Sequence, residues 1–154
     1  MDVTLRLLTT LEDTLDLAPA LETYVQESLQ DLRDDPVPEG CGERLLRRVL
    51  EAEEGLVLTA HLGEGGERAG FCLTGPLVDP LAGDALPMVL ALWVDPAWRR
   101  RGLARAMVAR VREELQARGQ GTLAARAGHN DDALISMGER WGFVRAWEVM
   151  VAEE

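Results

Sequence analysis

The sequence predicts a single mixed α/β (α+β) domain over residues 1–154, with a central mixed sheet of about six to seven strands flanked by about four helices. Three observations carry this expectation. With 154 residues, 47% of them hydrophobic, the chain can bury one core of ordinary size. Strand-like and helix-like periods succeed one another as a strand, two helices, a three-strand meander, then helix, strand, helix and strand. Residues 88–94, MVLALWV, form an uninterrupted apolar run of the kind buried on both faces of a sheet.

The elements follow in order. Residues 3–9 are rich in β-formers, and Thr10 with Asp13 resembles a cap for the helix that follows. Pro19 suits a first helical turn, after which Leu21, Tyr24, Val25 and Leu29 share one face. Residues 34–42, DDPVPEGCG, read as a loop. Residues 42–54 read as a second helix with Leu45, Leu46, Val49 and Leu50 as its stripe. Strands at 56–62 and 68–74 are joined by the glycine cluster 63–67. No helix follows that cluster and it lacks GK[ST], so it reads as a hairpin turn and not a nucleotide loop.

Residues 75–87, with Asp79 and Asp84, read as a second long loop leading into the apolar strand. After it, residues 95–98 make a turn. Leu103, Met107, Val111 and Leu115 then recur every four residues, and Gly119 stops that helix. A strand at 122–127, a short helix at 131–141 with Leu134, Met137 and Trp141 inward, and a last strand at 143–151 complete the domain.

Composition excludes several function classes. The net charge of −11 repels a nucleic-acid backbone. The N-terminal segment has no basic region followed by an apolar run, and the longest apolar stretch is half the roughly 20 residues a membrane helix needs. Cys41 and Cys72 are far apart, with only His61 and His129 as companions, so neither a disulfide framework nor a metal site is expected. No nucleic acid or membrane partner is expected, and the chain reads as cytoplasmic.

The charge is unevenly placed. Through Asp95 there are 19 acids and 6 arginines; from Pro96 onward there are 8 acids and 10 arginines, and the chain has no lysine. Seven arginines fall between Arg99 and Arg118. Within VDPAWRRRGLARAM, a buried strand ends and a turn with Gly102 and Ala104 opens onto a helix. The first N–H groups of such a helix lack intrahelical acceptors and its dipole favours an anion. Arg99, Arg100, Arg101 and Arg105 add fixed cations. Three consecutive arginines at a helix start oppose the dipole unless an anion sits there. An anion site is therefore expected.

At these residues the sequence resembles the GNAT superfamily of acetyl-CoA-dependent N-acetyltransferases, which carries R/Q-x-x-G-x-G/A between its fourth strand and third helix. Here the pattern is Arg99-x-x-Gly102-x-Ala104. The run Leu92-Trp93-Val94-Asp95-Pro96 sits where the family has its strand end and turn. Residues 130–143 look like its second signature, an asparagine-led helix closing on Gly-Phe. The resemblance implies acetyl-CoA as co-substrate, without a metal. It assigns the pantetheine arm to the main chain of Leu92, Trp93 and Val94. The pyrophosphate would lie on the backbone of Arg99, Arg100, Arg101, Gly102, Leu103, Ala104 and Arg105, with Arg100 or Arg105 reaching the 3′-phosphate. Asn130 leads the second signature of the binding site.

The chain departs from the family at the chemistry. Aligned on Asn130, Met137 takes the usual tyrosine position; aligned on Gly142-Phe143, Gly138 takes it, and Asp131 replaces the asparagine. Either way the tyrosine that often protonates the CoA thiolate is missing, leaving Ser136 or water. Tyr24, the one tyrosine, reads as a core or cleft-lining residue. The apolar strand holds no carboxylate, so the general base is His129, Asp79, Asp84 or a water relay.

The resemblance places acceptors near the first two helices, where Glu27, Asp31, Asp34, Asp35, Glu39 and Glu43 form an acidic patch suited to a cationic amine. The expected function is N-acetyl transfer from acetyl-CoA to a primary amine of a small molecule or peptide. The alternatives are a non-catalytic acyl-CoA-binding or regulatory domain, and an interaction module whose arginine turn docks an acidic partner. Relatives often dimerise, and Trp147, Val149 and Val151 suit a pairing strand of a homodimer or the core equally well.

Overall fold

A computed structural model describes residues 2–29, 36–128, 131–146, 148–150 and 152. Among them, five strands form one mixed sheet in the order β1 (Val3–Leu8), β2 (Leu56–Leu62), β3 (Arg68–Val78), β4 (Ala85–Val94) and β5 (Ala124–Ala125). The first four pair antiparallel, and β5 runs parallel to β4. The helices are a single turn α1 (Leu11–Thr14), then α2 (Ala18–Leu29), α3 (Cys41–Glu51), α4 (Leu103–Ala117) and α5 (Asp132–Arg140). None of the described helices is long and apolar enough to cross a membrane.

The capping and stop signals act as the sequence implies. Thr10 Oγ1 accepts from the Asp13 N–H at 3.2 Å and starts α1. Pro19 sits in the first turn of α2, where its missing N–H costs nothing. The 63–67 cluster is the hairpin between β2 and β3, closed by a bond from the Leu62 N–H to the Glu67 carbonyl at 3.0 Å. Gly119, at φ 82°, ends α4 while the Gln120 N–H bonds back to the Leu115 carbonyl at 2.8 Å.

Each face of the sheet carries its own core. On one side α4 places Leu103, Met107, Val111 and Leu115 against Leu58, Ala60, Cys72 and Val89. On the other, Leu17, Leu21, Leu46 and Val49 from the α1–α3 layer cover Val57, Phe71, Leu73 and Ala91. Burying such residues stabilises the domain by roughly 1.5–3 kcal/mol each. Burial pushes the Cys72 thiol up to about 12, because a thiolate would be desolvated among apolar neighbours.

The structure corrects the strand expectations in four places. The segment 75–87 is mostly strand: β3 runs to Val78 and β4 begins at Ala85, leaving a turn at 79–84. Pro76 lies opposite Pro87, so both residues without a donor share one rung of this ribbon. In the turn, Asp79 Oδ1 accepts the N–H groups of Leu81 and Ala82 at 2.8 and 2.9 Å. The Ala82 bond, then the Leu81 bond, holds the Asp79 carboxyl below its ordinary value.

Second, β4 is not buried on both faces, since Leu90, Leu92 and Val94 are only half-buried. Third, the strand expected at 122–127 pairs with β4 only at Ala124 and Ala125. Fourth, no strand forms among the described residues of 143–151; Val144 is 85% and Met150 93% exposed. Alternating apolar residues make a strand only where a ladder receives them, and β5 offers an edge of two residues. The sheet thus has five strands among the described residues instead of six to seven. Of the residues suited to a pairing strand, Val149 is 81% exposed; Trp147 and Val151 lie outside the described residues.

Candidate active site

The site begins with an irregularity in β4. Leu73 pairs with Ala91 while Thr74 pairs with Val89, so Leu90 is an extra residue on β4. Val89 faces the α4 core, Leu90 and Ala91 face the α2–α3 core, and Leu92 returns to the α4 side. Gly75 makes room for this bulge: a Cβ there would lie 2.6 Å from Leu90 Cδ1. Pairing with β5 stops at Val89. Beyond the bulge the pairing of the two parallel strands ends, and among the described residues the edge of β4 has no strand neighbour on that side.

A cleft of about 1520 Å³ opens at this separation. Leu90, Leu92, Trp93 and Val94 form one wall, with Arg126, Ala127 and Gly128 beyond β5. From α2 come Tyr24, Val25, Glu27, Ser28 and Leu29; from α3 come Cys41, Leu45 and Arg48. From α5 come Ala133, Leu134, Met137 and Arg140, with Trp141 after it. The described lining holds six arginines (Arg48, Arg99, Arg100, Arg105, Arg126 and Arg140) against two acids, Glu27 and Asp131. Among the described residues, the charges lining the cleft of this acidic protein are therefore mainly cationic.

The turn into α4 supplies one end of it. Asp95 Oδ1 accepts the Ala97 N–H at 2.9 Å and starts a 3₁₀ turn over Pro96–Trp98. Arg100 at φ 63° and Gly102 at φ 79° both adopt the left-handed region, which reverses the chain within three residues. Holding a non-glycine residue there costs of order 1–3 kcal/mol. Gly102 occupies the N-cap position of α4, and a Cβ on it would meet nothing within 4 Å. The space over the first turn is open, and its N–H groups have no intrahelical acceptor.

The arginines divide between two tasks. Arg99 Nε donates to the Val94 carbonyl at 2.9 Å, and the Arg101 guanidinium lies 4.8 Å from the Trp98 ring centroid. Arg99, Arg100, Gly102, Leu103, Ala104 and Arg105 line the cleft, whereas Arg101 does not. Leu92, Trp93 and Val94 line it as well, so most of the residues singled out for binding converge on one cavity. His129 and Asn130 lie outside the described residues. Ser136 is exposed and is not among the residues of α5 that line the cleft. Asp79 and Asp84 belong to the exposed turn between β3 and β4 and do not line it either.

The acidic patch is less uniform than the sequence implies. Glu27 lines the cleft, but Glu43 pairs with Arg47 at 2.8 Å, and Asp31, Asp34 and Asp35 lie outside the described residues. Among the described residues no group of three or more His, Cys, Asp or Glu side chains is arranged to hold a metal ion.

One contact was not legible in the sequence. The Leu92 N–H, turned away from β3, donates to the Tyr24 hydroxyl at 3.3 Å across 68 residues of chain. Tyr24 is held edge-on to Phe71, with centroids 6.0 Å apart, and Phe71 stacks on Trp93 at 5.5 Å. The helical face containing Tyr24 was the only sequence signal for it.

Comparison with known proteins gives the same picture. Residues 21–143 match the profile of the Acetyltransferase (GNAT) family. The [ribosomal protein bS18]-alanine N-acetyltransferase of Escherichia coli (strain K12) is 30% identical over 89 residues, 58% of this chain and 56% of that protein. The match thus spans little more than half the length of that relative. Among solved structures, a ribosomal-protein-alanine N-acetyltransferase from Brucella melitensis biovar Abortus 2308 has a TM-score of 0.70 at 22% identity, covering 100% of both chains. AAC(6')-Iy in complex with the bisubstrate analogue CoA-S-monomethyl-acetylneamine has a TM-score of 0.71 at 15% identity, covering 100% of this chain and 99% of that one. At these identities the two structures establish a shared fold.

Proposed function

The chain belongs to the acetyltransferase (GNAT) family, and from that membership we propose that it transfers an acetyl group from acetyl-CoA to a primary amine of a small molecule or peptide. The observation that carries the reading is the parting of β4 and β5 after Val89, which opens the edge of β4 and the start of α4 into one cleft. A pantetheine arm is a chain of amides, and an unpaired strand edge is the surface that bonds amides. Leu92, Trp93 and Val94 would hold it. The first turn of α4 would take the pyrophosphate on the N–H groups that follow Gly102, with Arg100 and Arg105 beside it. The fit is supported by the open space over Gly102.

The chain's own groups set up a direct transfer. Holding amine and thioester in one cleft removes most of the entropic cost of their meeting. The acceptor ammonium first gives one proton to water or a nearby carboxylate. The neutral amine nitrogen then bonds to the carbonyl carbon, and the carbon–sulfur bond breaks with its electron pair leaving on sulfur. The nitrogen's second proton passes to water, from which the CoA thiolate takes one. Glu27, three residues after Tyr24 and in the same cleft, is suited to attract the acceptor ammonium. A ribosomal protein's alanine, named for one relative, and aminoglycosides, named for a structural neighbour, make peptide and aminoglycoside amines the acceptor classes to try first. We place this work in the cytoplasm.

The test is thiol release from acetyl-CoA across a panel of N-terminal peptides, aminoglycosides and polyamines. At least one amine should raise release well above hydrolysis. Tight CoA binding with no amine-dependent release would leave the non-catalytic acyl-CoA-binding reading in its place.

A further inference from the structure

We infer that Tyr24 is a catalytic residue of this reaction, donating a hydrogen bond from its phenol to the thioester carbonyl oxygen as negative charge develops there. The inference rests on the acetyl-transfer reading and adds to it a group from α2.

Its basis is the bond between Leu92 and Tyr24. The Leu92 N–H lies just past the bulge, on the stretch of β4 that has no strand neighbour on that side among the described residues, and its partner is the Tyr24 oxygen at 3.3 Å. This is longer than an ordinary N–H···O bond, so it satisfies the amide weakly and yields to a better acceptor. In this bond the phenol oxygen is the acceptor. Its own hydrogen has no protein acceptor among the described residues.

A carbonyl oxygen that takes the Leu92 N–H replaces the Tyr24 oxygen on it and comes within one hydrogen-bond length of an O–H that has no protein acceptor among the described residues. Two fixed donors, one from β4 and one from α2, then converge on the oxygen that gains charge. The phenol keeps its proton; it donates a hydrogen bond and does not transfer H⁺. Preorganisation comes from the stack: Phe71 is buried, meets the Tyr24 ring edge-on and stacks on Trp93. The ring therefore waits in place and need not be ordered during reaction.

Because the chain has one tyrosine, global incorporation of 3-fluorotyrosine labels this position alone. The ¹⁹F resonance should shift more with acetonyl-CoA, which carries the carbonyl but cannot transfer it, than with CoA. Tyr24→Phe keeps the ring and its stacking. It should lower kcat on the order of 100-fold, the size seen when one such donor is lost, with KM for acetyl-CoA changed less than about three-fold. Equal ¹⁹F shifts for the two ligands, or a Tyr24→Phe kcat within about three-fold of the parent, would overturn the role while leaving acetyl transfer standing. A rise in KM with kcat unchanged would overturn it too, marking Tyr24 as a binding or packing residue. No binding of either CoA species would overturn both proposals.

Discussion

Arg99 and Val94 are joined across the turn: the Arg99 Nε–H donates to the Val94 carbonyl at 2.9 Å, fastening the start of the loop to the end of β4. The arginine that begins the R-x-x-G-x-A pattern thus fastens the turn to the strand as well as lining the cleft. We predict that Arg99→Lys, which keeps the charge but loses the Nε donor and planar geometry, weakens CoA binding by about 1 kcal/mol, roughly five-fold in Kd. Arg101 itself lies outside the cleft lining and packs over Trp98, so Arg101→Lys, which keeps a cation there, should change Kd by less than about two-fold, or roughly 0.4 kcal/mol. Isothermal titration with CoA checks both, and equal effects would refute the division of labour.

The opposite behaviour is expected of Arg100 and Arg105. Both line the cleft, and neither side chain has a hydrogen-bonding or ionic partner among the described residues. Arg100→Gly removes a cation while permitting the left-handed backbone, and Arg105→Ala removes one from the first turn of α4. Each should weaken CoA binding and flatten its dependence on salt, because a lost ionic contact no longer has counterions to compete with. Titrations at low and high salt measure this; an unchanged salt slope would count against an anion at this turn.

Much of the architecture was written in local patterns. The four-residue spacing from Leu103 to Leu115, the Thr10 cap and the glycine hairpin each depend on neighbours in sequence, so each could be read there. What escaped depends on distant partners. The strand at 143–151 has the right alternation, but a strand needs an edge to receive it, and β5 pairs at two residues only. The ribbon between Gly75 and Pro87 was hidden by its prolines, which read as loop until they are seen to face each other. Tyr24 and Leu92 meet only after the helices have folded over the sheet.

The two cysteines should behave differently. Cys72 is fully buried with its thiol pushed up to about 12, whereas Cys41 is half-buried and lines the cleft beside α2. A disulfide-forming aromatic reagent at neutral pH should titrate one thiol in the native protein and two after unfolding. Mass mapping should place the first adduct on Cys41; early modification of Cys72 would contradict the packing.

Asp79 gives a dependence on pH. Its folded-state carboxyl titrates below the ordinary value, owing to the Ala82 and Leu81 N–H groups. The stability it contributes is therefore present above the ordinary carboxylate pKa and is lost as pH falls through the lowered folded value. Asp79→Ala should melt below the parent protein at pH 7, with the gap narrowing under acid. Thermal melts across that range would refute the assignment if the gap stayed constant.

The bulge at Leu90 also separates the ability to fold from the ability to act. Were Leu90 deleted, Val89 and Ala91 would stand opposite Thr74 and Leu73 as consecutive rungs, and every later residue of β4 would keep the face it now has. Such a variant should unfold cooperatively in urea with its two cores intact, yet fail to retain CoA, since β4 could zip onward along the chain that follows β5. Retained CoA affinity would disprove this. On this view the slot is a one-letter insertion in an otherwise regular ladder, and the protein is a sheet kept from sealing itself by a single leucine.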